Sequence, residues 1–166
     1  MKSKISTQRS DQSGFPPKLQ KKLAGIRQAS GHALQFYGSR LSLHVDYPLR
    51  HCFRDLKELH GAVKKLLSPE TESQRHTLAV SAADTDAESA DIALRYQSIA
   101  ILSPRPGSEL LSYLIATEQR QKRMQTQILE ELGDSPLKIA LSAQTAMLQI
   151  TIDKLDSLLM EDMSAR

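Results

Sequence analysis

Aromatic residues are scarce in this sequence, and tryptophan is absent: Phe, Tyr and Trp together make up 4% of the 166 residues. The core must therefore be built mainly from Leu, Ile, Ala and Met, which favour helices over sheets. Hydrophobic residues at 40% and charged residues at 25% exclude the composition of a disordered chain. We therefore expect a folded and mainly helical protein.

Other absences narrow the function classes. Cys52 is the only cysteine, which excludes an intrachain disulfide and a cysteine-rich zinc site, and its apolar neighbours predict a small buried side chain. No apolar run approaches the ~20 residues that span a bilayer, and no signal-peptide pattern follows the first lysines. We therefore expect a cytoplasmic protein without a membrane partner. Phosphate-binding loops and catalytic motifs are also absent, so a non-enzyme without a cofactor is favoured.

Apolar periodicity predicts an all-α fold. Residues 1–15 contain only Ile5 and Phe15 as large apolar groups, which predicts a disordered basic tail. In residues 16–166, apolar side chains recur every three or four positions, the spacing of one helical face. The sequence therefore predicts one domain, an antiparallel bundle of four or five helices.

Prolines and capping residues predict the first two helix boundaries. Pro16-Pro17 sets a boundary, after which helix 1 runs to about residue 41, while Asp46 and Pro48 fit the N-cap and first turn of helix 2, which Pro69 ends. Three glycines weaken helix 1 and permit either a close helix approach or a break; they are Gly25, Gly31 and Gly38.

The later boundaries follow from similar signals. Thr85 and Glu88 form a candidate capping box at the start of helix 3, and residues 76–82 are assigned to a loop, with a strand as the alternative. Helix 4 starts at Ser108. A tight turn then joins helices 4 and 5, and its residues each suit one position: Gly133 a left-handed C-cap, Ser135 an N-cap and Pro136 the first helical position.

The middle of helix 4 is the first candidate site. Polar residues 117–123 interrupt its apolar stripe, and antiparallel packing of helices 4 and 5 places Thr117 near Thr151. One interpretation is a solvated stretch that neighbouring helices cover incompletely. The other is a polar layer of Thr117, Glu118, Gln121 and Thr151 that lines a small cavity or fixes the helix register.

The hairpin of helices 4 and 5 resembles the C-terminal pair of ferritin-like bundles. In that family a Glu-x-x-His motif supplies iron ligands. This sequence has Glu118 and then Gln121 at the matching spacing, and helix 5 contains no histidine. The resemblance therefore implies a metal-dependent bundle whose metal site is degenerate or absent.

Helix 2 carries the second candidate. His51-Cys52-Phe53-Arg54 resembles the phosphoacceptor box of histidine-kinase dimerisation helices, which implies histidine phosphotransfer at His51; the alternative is an ordinary surface or interhelical histidine. His60 lies nine residues later and points to the opposite side of the helix, so the two histidines cannot share a metal. His51 with Asp55 supplies too few ligands for a metal site.

The basic N-terminal part of the chain, residues 1–40, is the third candidate and is called the basic front. Residues 1–40 carry eight basic and one acidic side chain, whereas residues 106–166 carry six and nine. A basic arm leading into a basic helix can bind nucleic acid through its phosphates, or it can simply solubilise the chain. The anion-binding candidates within this helix are Lys18, Lys21, Lys22 and Arg27.

Taken together, these patterns favour a non-enzymatic binding module, such as an adaptor, a chaperone-like protein or a regulatory protein. Its apolar stripes can exceed what one small core covers, so we expect a protein partner or self-association, including a homodimer.

Overall fold

The computed structural model describes residues 14–42, 45–68, 86–102 and 107–165, apart from the side chains of residues 100–102. Within these ranges the only regular secondary structure is helical, which confirms the all-α prediction. Residues 1–13 of the predicted tail and the segment 76–82 lie outside the described residues. The described residues form five helices, namely α1 (Pro17–Arg40), α2 (Tyr47–Leu66), α3 (Ala87–Leu102), α4 (Ser108–Glu131) and α5 (Pro136–Ser164).

The helix starts lie at or within one residue of the predicted positions, but their capping chemistry differs from the prediction. Asp46 is the N-cap residue of α2, but its side chain accepts no capping hydrogen bond. At α3 the cap is Asp86, whose Oδ1 accepts from the backbone N–H of Ser89 at 2.9 Å. The predicted cap, Thr85, lies outside the described residues and one position too early, because Ala87 is already helical.

The turn between α4 and α5 confirms one prediction and corrects another. The Ser135 side chain accepts from the Lys138 backbone N–H, and Pro136 takes the first position of α5, as predicted. The left-handed C-cap at Gly133 is wrong, because no described glycine has a positive φ. Instead Leu132 turns to an extended conformation, with φ −77° and ψ 127°. This turn directs the Leu132 side chain into the core, so the helix ends without a left-handed residue.

The helices form a closed arrangement around a shared core. Helix α1 packs against α2, α3 and α4, while α5 packs against α2 and α4. Neighbouring helices run antiparallel, except for α1 and α3. Those two run in the same direction, since Gly25 faces Ser89 and His32 contacts Gln97 further along both helices.

Gly25 marks a close approach of α1 and α3. A Cβ atom at this position would lie 2.0 Å from Oγ of Ser89, so only glycine fits without a shift. The nearest heavy atoms to the corresponding positions at Gly31 and Gly38 lie 3.9 Å away. Helix α1 is continuous through all three glycines, so of the two alternatives the break is excluded and the close approach is found at Gly25.

The core contains buried side chains from every helix. Leu and Ile dominate it, and Cys52 is buried within it as a small hydrophobe, as the sequence predicted. Among the described residues, no helix has the length and apolar character to cross a bilayer.

Candidate functional site

A polar cluster lies inside the bundle, where four helices present one side chain each. It comprises Tyr37 of α1, His60 of α2, Tyr96 of α3 and Glu118 of α4, and we call these four residues the Glu118 centre. All four are at most 1% exposed to solvent. Each side chain lies on the inner face of its helix, between apolar residues at helical spacing. The same periodicity that builds the core therefore also places these polar groups in it.

The Glu118 carboxylate is the acceptor at which the cluster converges. Its Oε1 atom accepts hydrogen bonds from the hydroxyl groups of Tyr37 and Tyr96, each at 2.5 Å. Its Oε2 atom lies 3.0 Å from Nε2 of His60. One buried carboxylate thus has three donors from three other helices. Charge-assisted hydrogen bonds of this kind are roughly twice as strong as neutral ones.

Gln121 extends the cluster by one helical turn. Its side-chain Nε2 donates to Oγ of Ser30 at 2.8 Å and lies 3.1 Å from Nδ1 of His60. Both ring nitrogens of His60 therefore have a polar partner, Gln121 at Nδ1 and Glu118 at Nε2. The Oε1 atom of Gln121 is buried without a hydrogen-bond partner among the described residues.

Aromatic rings surround these polar atoms and exclude water from them. The rings of Tyr37 and His60 are nearly parallel, at 8°, with centroids 6.0 Å apart. Tyr96 packs edge-on against Tyr37, and the ring of Phe53 lies 5.4 Å from that of Tyr37. Packing of this kind fixes the rotamers of the donors, so the hydrogen bonds to Glu118 are held in place by the core itself.

The electrostatic environment keeps the Glu118 carboxyl ionised. Burial by itself raises its pKa, but the attraction of His60 and the hydrogen bonds from His60, Tyr37 and Tyr96 lower the pKa by more, to below the ordinary value. Burial, together with the negative charge of Glu118, raises the pKa of both tyrosine hydroxyls well above their ordinary value. At neutral pH the cluster is therefore one carboxylate with neutral tyrosines.

The structure divides the four predicted polar-layer residues into two groups. All are buried, whereas Gln119 of the same segment is exposed. Glu118 and Gln121 belong to the hydrogen-bonded cluster described above. The hydroxyl groups of Thr117 and Thr151 instead donate to backbone carbonyls four residues earlier in their own helices.

Sequence reasoning missed three members of the site: Tyr37, His60 and Tyr96. A signal was present, because both tyrosines lie on the predicted apolar stripes of their helices, and a buried tyrosine hydroxyl needs a partner. His60 also lies on the inner face of α2, opposite His51. The buried partner that all three share, Glu118, could not be identified without knowing how the helices are rotated.

His51, the phosphotransfer candidate, lies apart from the Glu118 centre. Its ring is partly buried, and Nε2 lies 2.9 Å from the hydroxyl oxygen of Tyr47. Asp55 pairs with Lys154 of α5 at 3.1 Å.

The basic candidates lie along the first half of α1. Lys22 forms an ion pair with Glu131 of α4, so part of the basic front meets an acidic group of the same chain. Lys18 and Lys21 are exposed, and Arg27 is partly buried.

The residues of the Glu118 centre do not fit the iron site of a ferritin-like bundle. Within the described ranges, no group of three or more His, Cys, Asp and Glu side chains is arranged to hold a metal ion. Both oxygens of Glu118 are already engaged by Tyr37, Tyr96 and His60. At the position of the motif's histidine, Gln121 contacts the His60 ring.

No protein-family model, no curated protein and no solved structure matches this chain. Function is therefore inferred from the arrangement of its own side chains. The Glu118 centre is closed, because its donors and acceptors are bonded mainly to one another. Such a network joins four helices in one register, which is a structural role.

Proposed function

We propose that this protein is a non-enzymatic helical-bundle module that binds another protein chain through the outer face of α5. Modules of this kind serve as adaptors, chaperone-like proteins or regulatory proteins. The observation that carries the proposal is a continuous apolar stripe on that face. The stripe consists of Ile139, Ala143, Ala146, Met147 and Ile150, and we call these five residues the α5 outer face.

Every member of the α5 outer face is exposed. The large side chains are 74% exposed at Ile139, 51% at Met147 and 48% at Ile150. Isolated exposed apolar residues are common on soluble proteins, but a contiguous group is typical of an interaction site. Ile139, Ala143, Ala146 and Ile150 are spaced by four, three and four residues, which keeps them on one side of the helix, and Met147 adjoins Ala146 at the edge of that side.

The stripe lies directly opposite the side of α5 that faces the core. Leu141 and Leu148, which alternate with its members along the chain, are fully buried in the bundle. Helix α5 is therefore apolar on two opposite faces, a pattern that favours a helix covered on both sides. Beyond Ile150 the outward positions become polar, with Asp153 and Ser157. The apolar surface thus has a defined end.

The interior supports a binding role for this bundle. The Glu118 centre holds α1, α2, α3 and α4 together, and polar contacts attach α5 to this frame, one of them from Lys122 of α4 to Oε1 of Gln149. Thr145 donates to Oε1 of Gln125 at 2.9 Å, and Lys154 pairs with Asp55. A rigid scaffold of this kind limits the conformational entropy lost when its surface binds a partner.

The test is retention of a partner by full-length variants. We would capture protein partners from the source cells with the wild type, with an Ile139→Glu/Ile150→Glu double variant, and with Ser157→Glu as a matched control. Ser157 lies on the same outward side of α5, beyond the apolar stripe. We expect a stoichiometric protein, which can be the chain itself, to be retained by the wild type and the control and lost in the double variant. Identical retention by all three proteins would refute the proposal.

A further inference from the structure

We infer that the chain covering the α5 outer face is a second copy of this protein, packed antiparallel about a two-fold axis that runs between the two α5 helices at the level midway between Gln144 and Thr145. This inference rests on the proposed function, since it uses the same surface. It adds the identity of the partner, the direction of packing and the register.

The first observation is that four of the five stripe residues recur at mirrored positions, Met147 being the exception because it mirrors Ser142. From residue 139 to 150 the sequence is IALSAQTAMLQI, in which isoleucine, leucine and alanine each recur at mirrored positions. A two-fold interface pairs residue i with j and j with i. In an antiparallel pair centred after Gln144, Ile139 of one copy faces Ile150 of the other, and Ala143 faces Ala146. An unrelated partner would require no such symmetry.

The sizes of these side chains suit a helix pair. The small residues, Ala143 and Ala146, lie next to the axis, where two helices must approach to about 8–10 Å. The large residues, Ile139 and Ile150, lie at the two ends of the stripe, where they can pack against each other across the interface. The two α5 outer faces are therefore complementary in shape.

The second observation is charge complementarity on the α4 side of the interface. Gln125 of α4 contacts Thr145 of α5. The two-fold axis therefore lies at the level of Thr126 along α4. Lys122 and Glu130 lie four residues on either side of Thr126. A two-fold axis perpendicular to the helices puts α4 of one copy on the same side of the α5 pair as α4 of the other, running in the opposite direction. Lys122, which donates to Oε1 of Gln149 in its own chain, then comes to the level of Glu130 of the other copy, whereas parallel packing would bring lysine to the level of lysine.

The extent of the surface sets the expected affinity. Residues 139–150 span about 17 Å of helix at 1.5 Å per residue. A stable dimer buries about 800 Å² on each partner, with roughly 20–30 residues a side. The α5 outer face and its α4 border supply fewer residues than that. We therefore expect a dissociation constant on the order of micromolar, with monomer and dimer in exchange.

Sedimentation equilibrium over a wide concentration range tests the association. We expect the wild type and Ser157→Glu to form dimers at high concentration, and Ile139→Glu/Ile150→Glu to associate at least roughly tenfold more weakly, because each glutamate would be buried in an apolar contact. Circular dichroism of each variant shows whether the bundle remains folded, since both isoleucines are exposed in the monomer. A wild type that stays monomeric at millimolar concentration overturns the inference.

Cysteine cross-linking tests the direction and the register. Ile139→Cys and Ile150→Cys variants would be oxidised separately and as an equimolar mixture, with the buried Cys52 left in place. We expect disulfide-linked dimers in the mixture, and little cross-linking in either variant alone, because equal positions lie about eleven residues, or roughly 16 Å, apart. Efficient cross-linking of Ile139→Cys with itself would indicate parallel packing and overturn the register.

These outcomes separate the inference from the proposed function. If the wild type is monomeric but retains a different protein that Ile139→Glu/Ile150→Glu loses, the α5 outer face binds another chain, and only the inference of self-association fails. If the double variant retains every partner and also dimerises like the wild type, both fail.

Discussion

Nε2 of His60 lies 3.0 Å from Oε2 of Glu118, with both side chains fully buried and 58 positions apart in the chain. Helix α2 packs mainly against α1 and α5, so this contact reaches across the bundle to α4. A buried charge costs several kcal/mol unless its partners are in place. His60, Glu118 and the two tyrosine donors must therefore come together in the same step. The hydrogen bonds to Glu118 form only when all four helices are packed.

Replacing Glu118 with glutamine should destabilise the fold strongly. The amide oxygen can still accept from the tyrosines, but the charge is lost and the amide nitrogen faces the ring of His60. We expect the free energy of unfolding at neutral pH to fall by about 2–4 kcal/mol, as measured by urea denaturation. Glu58→Gln, at an exposed position on α2, is the control and should change the free energy by less than about 0.5 kcal/mol.

The same variant should also change the response to acid. Because the pKa of Glu118 is lowered in the folded state, its contribution is complete above the ordinary glutamate value of about 4.3 and is lost as the pH falls through the lower folded value. The wild type should therefore lose stability below about pH 4 more steeply than Glu118→Gln. Urea denaturation over a series of pH values would show the difference between them shrinking; a constant difference would contradict this assignment.

The tyrosine donors should make the stability of the fold fall in alkali, as Glu118 does in acid. The pKa of Tyr37 and Tyr96 is raised in the folded state, so their contribution is complete below the ordinary value of about 10 and is lost as the pH rises above it. Tyr37→Phe and Tyr96→Phe should each cost about 1.5–3 kcal/mol at neutral pH, because each removes a hydrogen bond to a carboxylate.

The measurement is an alkaline titration of the same variants, followed by tyrosinate absorbance and by circular dichroism. We expect Tyr37→Phe/Tyr96→Phe to lose less stability in alkali than the wild type does, and to show less tyrosinate appearing with unfolding. Tyr113→Phe is the control, since its ring is exposed and stacks under Arg95. If the wild type and the double variant lost the same stability above pH 10, the hydroxyl groups would not be coupled to Glu118.

Thr117 is buried beside Glu118 but should contribute little. Its hydroxyl donates only to the Tyr113 carbonyl, which is part of the same helix. We expect Thr117→Val to change the free energy of unfolding by less than about 1 kcal/mol, and the same for Thr151→Val, whose hydroxyl bonds the Met147 carbonyl. A loss as large as that of Glu118→Gln would place Thr117 in the network after all.

The sequence predicts the helices well because their periodicity is local. Positions three and four apart report one helical face, and Ser135-Pro136 marks a helix start through backbone chemistry alone. The end of α4 was mispredicted because tertiary burial of Leu132 determined the backbone there, which a local turn signal at Gly133 does not report.

The candidate site was only partly predictable for the same reason. The polar break in α4 pointed to Glu118 and Gln121, since an inward-facing charge on an apolar stripe is visible in one helix. Whether Tyr37, His60 and Tyr96 face that charge depends on the rotation and translation of three other helices. The rotation and translation of these helices are determined by tertiary packing, so they cannot be predicted from the sequence pattern of a single helix.

Gly25 offers the sharpest test of how tightly α1 and α3 pack. A Cβ at Gly25 would overlap Ser89, with Oγ at 2.0 Å and Cβ at 2.7 Å, so Gly25→Ala should force the helices apart and cost about 1–3 kcal/mol. Gly38→Ala is the matched control on the same helix, because the nearest atom there is Cε of Lys57 at 3.9 Å. Alanine is the better helix former, so this control should gain up to about 1 kcal/mol. Thermal and urea unfolding would show whether each substitution raises or lowers the free energy of unfolding. Stabilisation by Gly25→Ala would contradict the close packing of α1 against α3.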